Sequence, residues 1–363
     1  MDVSSRMSTL IEAGDDASFD RLKARYRSLR LRRVTILLVL CLLLLGSFCY
    51  DIITGSSGMT VPQFLRGLLH PSELSPTDRV IIWNVRLPFS LMAVLVGAAL
   101  SLAGAEMQVV LNNPLASPFT LGVASAAALG ASTVIVFGLS VAWLPYNWLV
   151  SAAAFIFAFS SVLIIDALAR LRGTTMETTV LLGIALVFSC NALVLLFQLV
   201  ATEDVLQQLV FWSVGSLARA DWEKVLVLAI ALIVVIPLSF ASSGKMTALR
   251  MGEERAISFG IDVKRLRYFA LLRISILSAM AVAFVGTIGF IGLIGPHIAR
   301  LLVGEDQRYA VPASCLVGAL LLSLSSIASK TVLPGLIVPV GIVTALVGVP
   351  VFVILIFRGR PGR

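Results

Sequence analysis

The side chains that could do chemistry are few, and they stand singly in apolar sequence. Glu106, Asp166 and His297 are the ionisable residues that fall at membrane depth, with Asp166 close enough to the end of its run to reach water. Glu106 admits two readings, a buried hydrogen bond to a neighbouring helix or a place on a transport pathway. His297 follows Pro296, where a helix would kink, and reads first as a histidine satisfied by backbone and second as a ligand. Cys41, Cys49, Cys190 and Cys315 form no CxxC pair, and only His70 and His297 are available as nitrogen partners, so neither a disulfide framework nor a zinc site is indicated. The hydrolytic spacings HExxH and GxSxG are missing, as is any pair of intramembrane aspartates. Gly244-Lys245 lacks the upstream glycine and the following Ser or Thr of a phosphate-binding loop, so ATP hydrolysis is not expected of this chain. An ion-coupled carrier needs more polar groups at membrane depth than these.

Such residues have to be positioned by helices in lipid. Of 363 residues, 58% are hydrophobic and 13% charged, against roughly 25% charged in soluble proteins, which excludes a soluble multidomain chain. A spanning helix takes about 20 mostly apolar residues. That length predicts spans near 34–53, 87–110, 119–138, 147–168, 179–200, 225–241, 268–287, 289–303, 309–328 and 336–357. The expected fold is therefore all-α, a polytopic membrane protein of about ten transmembrane helices. Residues 1–33 are too long and too charged for a signal-peptide n-region, and Tyr50-Asp51 offers no cleavage site, so the first span is expected to be retained.

The net charge of +8 comes from cations at the ends of apolar runs, without the interleaved aromatics of a nucleic-acid surface, and no nucleic acid is expected as a partner. An even number of spans puts both termini on one side. Of the 28 basic residues only Arg66, Arg79, Arg86, Arg219, Lys224 and Lys330 fall opposite, a bias that predicts cytoplasmic termini. The layout is a basic arm (1–33), a transmembrane domain (34–357) and a short tail (358–363). In the arm, Leu22, Tyr26 and Leu29 lie at helical spacing among Arg21, Lys23, Arg25, Arg27, Arg30, Arg32 and Arg33. That pattern suits a helix lying on anionic headgroups, or a solvated tail that only sets orientation.

Small residues let helices approach closely in lipid, and Gly97, Ser101 and Ala105 repeat every four residues beside Gly104, marking a contact face. Gly286, Gly289, Gly292 and Gly295 repeat every third residue up to Pro296, which predicts a break or re-entry. Asn191 and Gln198 share one helix face, either as interhelical hydrogen bonds or as a pathway lining. The segment 245–267 is too polar for the membrane. It reads as two short helices, with Ala248, Leu249 and Met251 before Gly252, then Glu253 and Glu254 opening a second turn that Gly260 ends. Such a knob is either a seat for a soluble motor or a mere connector.

The motifs Arg86-Leu87-Pro88, Gly97 through Gln108, Asn113-Pro114-Leu115-Ala116 with Pro118 and Leu121-Gly122, Gly252-Glu253 with Ala256 and Gly260, Gly286 through Arg300, and Pro339-Val340-Gly341 with Thr344, Gly348 and Pro350 occur in one order. In that order they resemble the permease subunits of ABC importers for iron siderophores, haem and cobalamin, over residues 60–357. The resemblance implies the ten-helix type II importer fold in the inner membrane, paired with a second permease copy or a paralogue. It also implies two ATP-binding cassette ATPase subunits that carry the ATP and Mg, a periplasmic or lipid-anchored substrate-binding protein, and no cofactor or metal in this chain. By the same resemblance Gly252, Glu253, Glu254, Ala256 and Gly260 couple to the ATPase, Arg86 and Lys330 dock the binding protein, and Thr175, Met176 and Glu177 form a cytoplasmic gate. Asn191, Gln198 and Thr344 are expected to line the pathway on the dimer axis. The chain departs from the family pattern at Phe89, Ser325, Ser326, Lys330 and Ile337. The expected cargo is a ferric siderophore, with haem or cobalamin as the alternatives and an ion-coupled secondary transporter as the reading of a different class.

Overall fold

The computed structural model describes the backbone of residues 3–55, 67, 70, 75–172, 176–333 and 335–358. Helix α1 (Val3–Ile53) runs without interruption from the basic arm into the first apolar run, so the arm is an extension of that span. Helix α2 (Pro76–Val110) starts where Ser75 accepts a hydrogen bond from the Asp78 amide (3.1 Å) and Pro76 occupies the first turn. It passes through a π-helical stretch, Ile81–Arg86, directly before Pro88, whose missing N–H interrupts the ordinary ladder. Then follow α3 (Val123–Val136), α4 (Tyr146–Arg172), α5 (Met176–Val200), α6 (Glu203–Ser213) and a 3-10 turn at Leu217–Arg219. Helix α7 (Trp222–Arg250) is capped by Asp221, α8 (Glu253–Ser258) begins at Gly252, and α9 (Val263–Val285) is capped by Asp262. The chain closes with α10 (Ile291–Val303), α11 (Gln307–Thr331) behind an Asp306 cap, and α12 (Val340–Arg358).

Seven of these helices are long and apolar enough to cross a bilayer, and α3, α10 and α12 are shorter apolar helices, which gives the expected ten among the described residues. Two expectations about the elements change. Helix α7 continues to Arg250, so Ala248 and Leu249 are its last turn and only one separate short helix, α8, stands in the 245–267 segment. Helix α6 was not anticipated.

Helix α2 is the hub. Of its apolar stretch 83% is buried within the protein, against 11% for α5, so α2 is a core helix and α5 presents itself outward. Helices α7, α9, α10 and α11 all pack on α2. The small-residue face does what its spacing predicts. A Cβ at Gly97 would overlap the Gly318 carbonyl of α11, and one at Gly104 would overlap the Gly292 carbonyl of α10, so each crossing brings backbone against backbone. The glycine-rich segment does break the helix. Helix α9 ends at Gly286 (φ +83°), and Phe290 (φ +66°) precedes α10. Its backbone is covered by protein. The Ser216 amide donates to the Val285 carbonyl (2.7 Å), Thr287 donates to the Ser213 carbonyl, and the Gly341 amide donates to the Gly215 carbonyl (3.1 Å). The end of α6, the α9–α10 break and the start of α12 are thereby tied into one junction.

Candidate functional site

Helix α8 hangs at the end of the molecule where α7 stops and α9 begins, here called the basic face. Gly252 turns the chain with φ +120° and Gly260 leaves α8 with φ +75°, backbone conformations that disfavour any side chain. Glu253 and Glu254 occupy the first turn, where negative charge suits the helix dipole. Glu253 also forms an ion pair with Arg267 of α9 (2.8 Å), bracing α8 against the next span. Ala256 is fully buried among Val109, Val110, Met246, Leu249, Val263, Leu266 and Ala270. Its small side chain therefore seats α8 on its own permease. Among the charged and polar side chains that α8 and its flanks present outward stand three apolar ones: Met251, Ile257 and Phe259 are 49%, 58% and 65% exposed. The motif reading placed Met251 only as part of the first short helix and passed over Ile257 and Phe259, because a lone apolar residue in a polar loop carries no pattern of its own.

Polar ties hold the same face together. Arg250 pairs with Glu305 (2.6 Å), the Gln307 amide donates to Thr247 (3.0 Å), and Arg300 donates to Gln108. Asp306 accepts from Arg308 (2.8 Å) and lies 3.5 Å from Arg33, whose guanidinium also stacks 4.9 Å from the Tyr309 ring centre. Burial pushes the Asp306 carboxyl upward, but the Arg308 hydrogen bonds and the charges of Arg308 and Arg33 outweigh it and hold the group below its usual range.

Within the membrane domain, Glu106 of α2 accepts two-pronged hydrogen bonds from Arg273 of α9 (2.8–3.1 Å), which also donates to Ser242 of α7 (3.1 Å). This pair settles Glu106 as a buried clamp of three helices. At the opposite end Asp51, wholly buried, accepts from Lys330 (3.0 Å) and from Ser326 (2.7 Å). Lys330 also donates to the Asp51 carbonyl, and Arg86 donates to the carbonyls of Ile52 (3.2 Å) and Ile53 (2.9 Å). Both cations thus satisfy the last carbonyls of α1, where positive charge complements the helix dipole. Both side chains are largely buried and cap α1.

Of the expected pathway residues, Asn191 is exposed and Gln198 half-buried on α5. Thr344 is 3% exposed and donates to the Gly341 carbonyl (3.0 Å). Thr175 lies outside the described residues, and Met176 and Glu177 open α5 with side chains outside them. The polar side of α6, with Asp204, Gln207 and Gln208, lines a cavity of about 1030 Å³ at the end opposite α8. Its start was readable in Thr202-Glu203-Asp204. Arg219 closes α6 by donating to the carbonyls of Phe211 and Trp212, and burial lowers this guanidinium to about 10. Among the described residues no cluster of His, Cys, Asp and Glu could hold a metal ion, and the four cysteines are unbridged.

The sequence pattern of the FecCD transport family matches residues 41–358. The hemin transport system permease HmuU of Yersinia pestis is 36% identical over 78% of this chain and 85% of its own length. The Fe(3+)-citrate import system permease YfmE of Bacillus subtilis is 36% identical over 82% of this chain and 86% of its own length. A solved metal-chelate type ABC transporter in an inward-facing conformation superposes with a TM-score of 0.79 at 30% identity, over 89% of this chain and 99% of that one. The chain therefore belongs to the FecCD transport family, as a multi-pass permease subunit of an ABC importer that leaves ATP hydrolysis to a separate chain.

Proposed function

We propose that this permease carries a ferric siderophore across the inner membrane, as a dimer with a second copy or a paralogue, between two ATPase subunits and a periplasmic or lipid-anchored binding protein. The basic face is cytoplasmic in this reading, with both termini on that side. The observation that carries it is the α8 knob: Gly252 and Gly260 frame a helix that is locked to its own permease through Ala256 and Glu253 while Met251, Ile257 and Phe259 point outward. An apolar projection on a polar face is suited to a groove in a soluble ATPase. Glu254 stands on the same exposed surface and adds charge at its edge.

The cargo reading leans on relatives that handle iron in chelated form, Fe(3+)-citrate in one and hemin in another. Haem is the second reading, because the hemin permease is as similar to this chain as the citrate one; cobalamin is the third, supported by a vitamin B12 import permease of Vibrio vulnificus that is 34% identical over 90% of this chain. Helix α5, the least buried span, supplies a face for the second permease, with Asn191 and Gln198 toward the pathway. Thr175, Met176 and Glu177, just ahead of and within the first turn of α5, are the proposed gate. Co-purification of the tagged permease from cells grown without iron, followed by mass spectrometry, tests the assembly and the cargo together. The ATPase, a binding protein and an iron-bearing chelate are expected. A binding protein loaded with haem or cobalamin would overturn the cargo, and absence of any ATPase would overturn the assembly.

A further inference from the structure

The importer reading leaves the amino-terminal extension of α1 without a task. Its described part is exposed throughout from Lys23 to Arg32, and no acidic residue occurs between Arg21 and Tyr50. At about 100° per residue, Arg25 and Arg32 fall on one side of the helix and Arg27 and Arg30 on the opposite side, so the cations bracket the helix from both sides, here called a ring, and do not form a single stripe. A stripe would suit a helix lying flat on a membrane. A ring suits a helix that stands upright and is surrounded.

The surroundings follow from where α1 sits. Only 22% of its apolar stretch is buried, and its main neighbour is α11, so most of its circumference in the membrane faces lipid. Leu38, Leu42 and Leu45 are 60%, 69% and 59% exposed on that outer side. The helix continues unbroken from these leucines into the ring, and Arg33, held by Asp306 (3.5 Å) and Tyr309 (4.9 Å), fixes its direction where it leaves the apolar run. The headgroup layer is about 5–7 Å deep per leaflet. At about 1.5 Å of rise per residue it holds Arg32 and Arg30, and Arg27 and Arg25 follow within roughly one further Debye length.

We propose that Arg25, Arg27, Arg30 and Arg32 form a binding ring for the phosphodiester headgroups of acidic phospholipids in the leaflet on the basic face. The occupant is lipid because the ring continues a surface already in lipid, and because guanidinium pairs with phosphate through two parallel hydrogen bonds. Tyr26, Leu29 and Leu31, 57%, 43% and 60% exposed between the cations, give the ring an apolar body that suits the boundary between headgroups and water.

The test uses the full-length permease in detergent, titrated with phosphatidylglycerol or with phosphatidylcholine and read by native mass spectrometry. The wild-type protein is expected to retain phosphatidylglycerol in preference, with the excess falling as ionic strength rises. A variant carrying R25Q, R27Q, R30Q and R32Q should lose at least about tenfold in phosphatidylglycerol retention, since one cation is worth roughly fivefold and each bound headgroup would engage more than one, with phosphatidylcholine unchanged. The matching set of four Arg→Lys changes keeps the charge that orients the protein and should keep most of the retention. Equal retention by the glutamine variant overturns the proposal. So does loss of ATPase association with lipid retention intact, which would make the ring a protein contact. A photoactivatable phosphatidylglycerol on the unaltered protein gives an independent reading: cross-links should map to the 23–33 segment, and their absence there overturns the proposal.

Discussion

Truncating the two exposed apolar residues at α8, Ile257→Ala with Phe259→Ala, separates coupling from folding. In the protomer these side chains are 58% and 65% exposed, so they contribute little to the permease's own stability. Full burial of an Ile or Phe side chain is worth about 1.5–3 kcal/mol. If an ATPase groove takes up the exposed part, each truncation costs roughly 1–2 kcal/mol, and the pair about 2–4 kcal/mol, or roughly 30- to 700-fold in Kd. Ala256→Leu acts from the other side. It forces extra volume into a site with no exposed surface, where overpacking costs about 1–3 kcal/mol, and should dislodge α8 from Val109, Met246 and Leu266. The assay is ATPase affinity for the permease in lipid nanodiscs, beside thermal unfolding of the permease alone. The double alanine variant should keep its Tm and lose affinity, whereas Ala256→Leu should lose both. An unchanged Kd in the double variant refutes the reasoning, and so does a Tm that falls with it.

Three further outcomes follow from the interior. Glu106→Ala strands a buried Arg273 and should destabilise the protein by about 3–5 kcal/mol, while Glu106→Leu combined with Arg273→Leu should recover most of that, as thermal unfolding in one detergent will show. Gly104→Leu drives a side chain into the Gly292 carbonyl and should abolish folded yield by size-exclusion chromatography, whereas Gly244→Ala, with nothing near its new methyl group, should be neutral or mildly stabilising. Asp306 is held below its unfolded pKa, so its contribution is full above that value and is lost as pH falls through the folded one. As pH falls below about 4 the wild type should therefore lose more Tm than Asp306→Asn does.

Sequence reasoning saw the spans because lipid imposes a length and an apolar composition that any window can read; Leu87–Val110 and Ile291–Val303 fall where the hydropathy places them. It saw the α2 contact face and the glycine break for the same reason, since both are local spacings. It missed what distance in the chain hides. Arg273 counts only as a cation near a span end until Glu106, 167 positions away, is seen beside it. Asp51 looks like the polar end of the first span until α11 closes over it with Lys330 and Ser326. The same blindness hides the burial of Arg86 and Lys330, because a motif gives identity without exposure. Ala256 was found for its size, but only packing shows which partner that size serves.

The account rests on ATP-driven import of a ferric chelate. The measurement that tests it most directly is uptake into proteoliposomes holding the permease with its ATPase, given radioactive iron as a siderophore complex on its binding protein outside and ATP inside. Accumulation should require ATP, the ATPase and the binding protein, and should fall in the Ile257→Ala, Phe259→Ala variant in step with ATPase affinity. Uptake driven by an ion gradient without ATP, or haem accumulation with no movement of the siderophore complex, would contradict it.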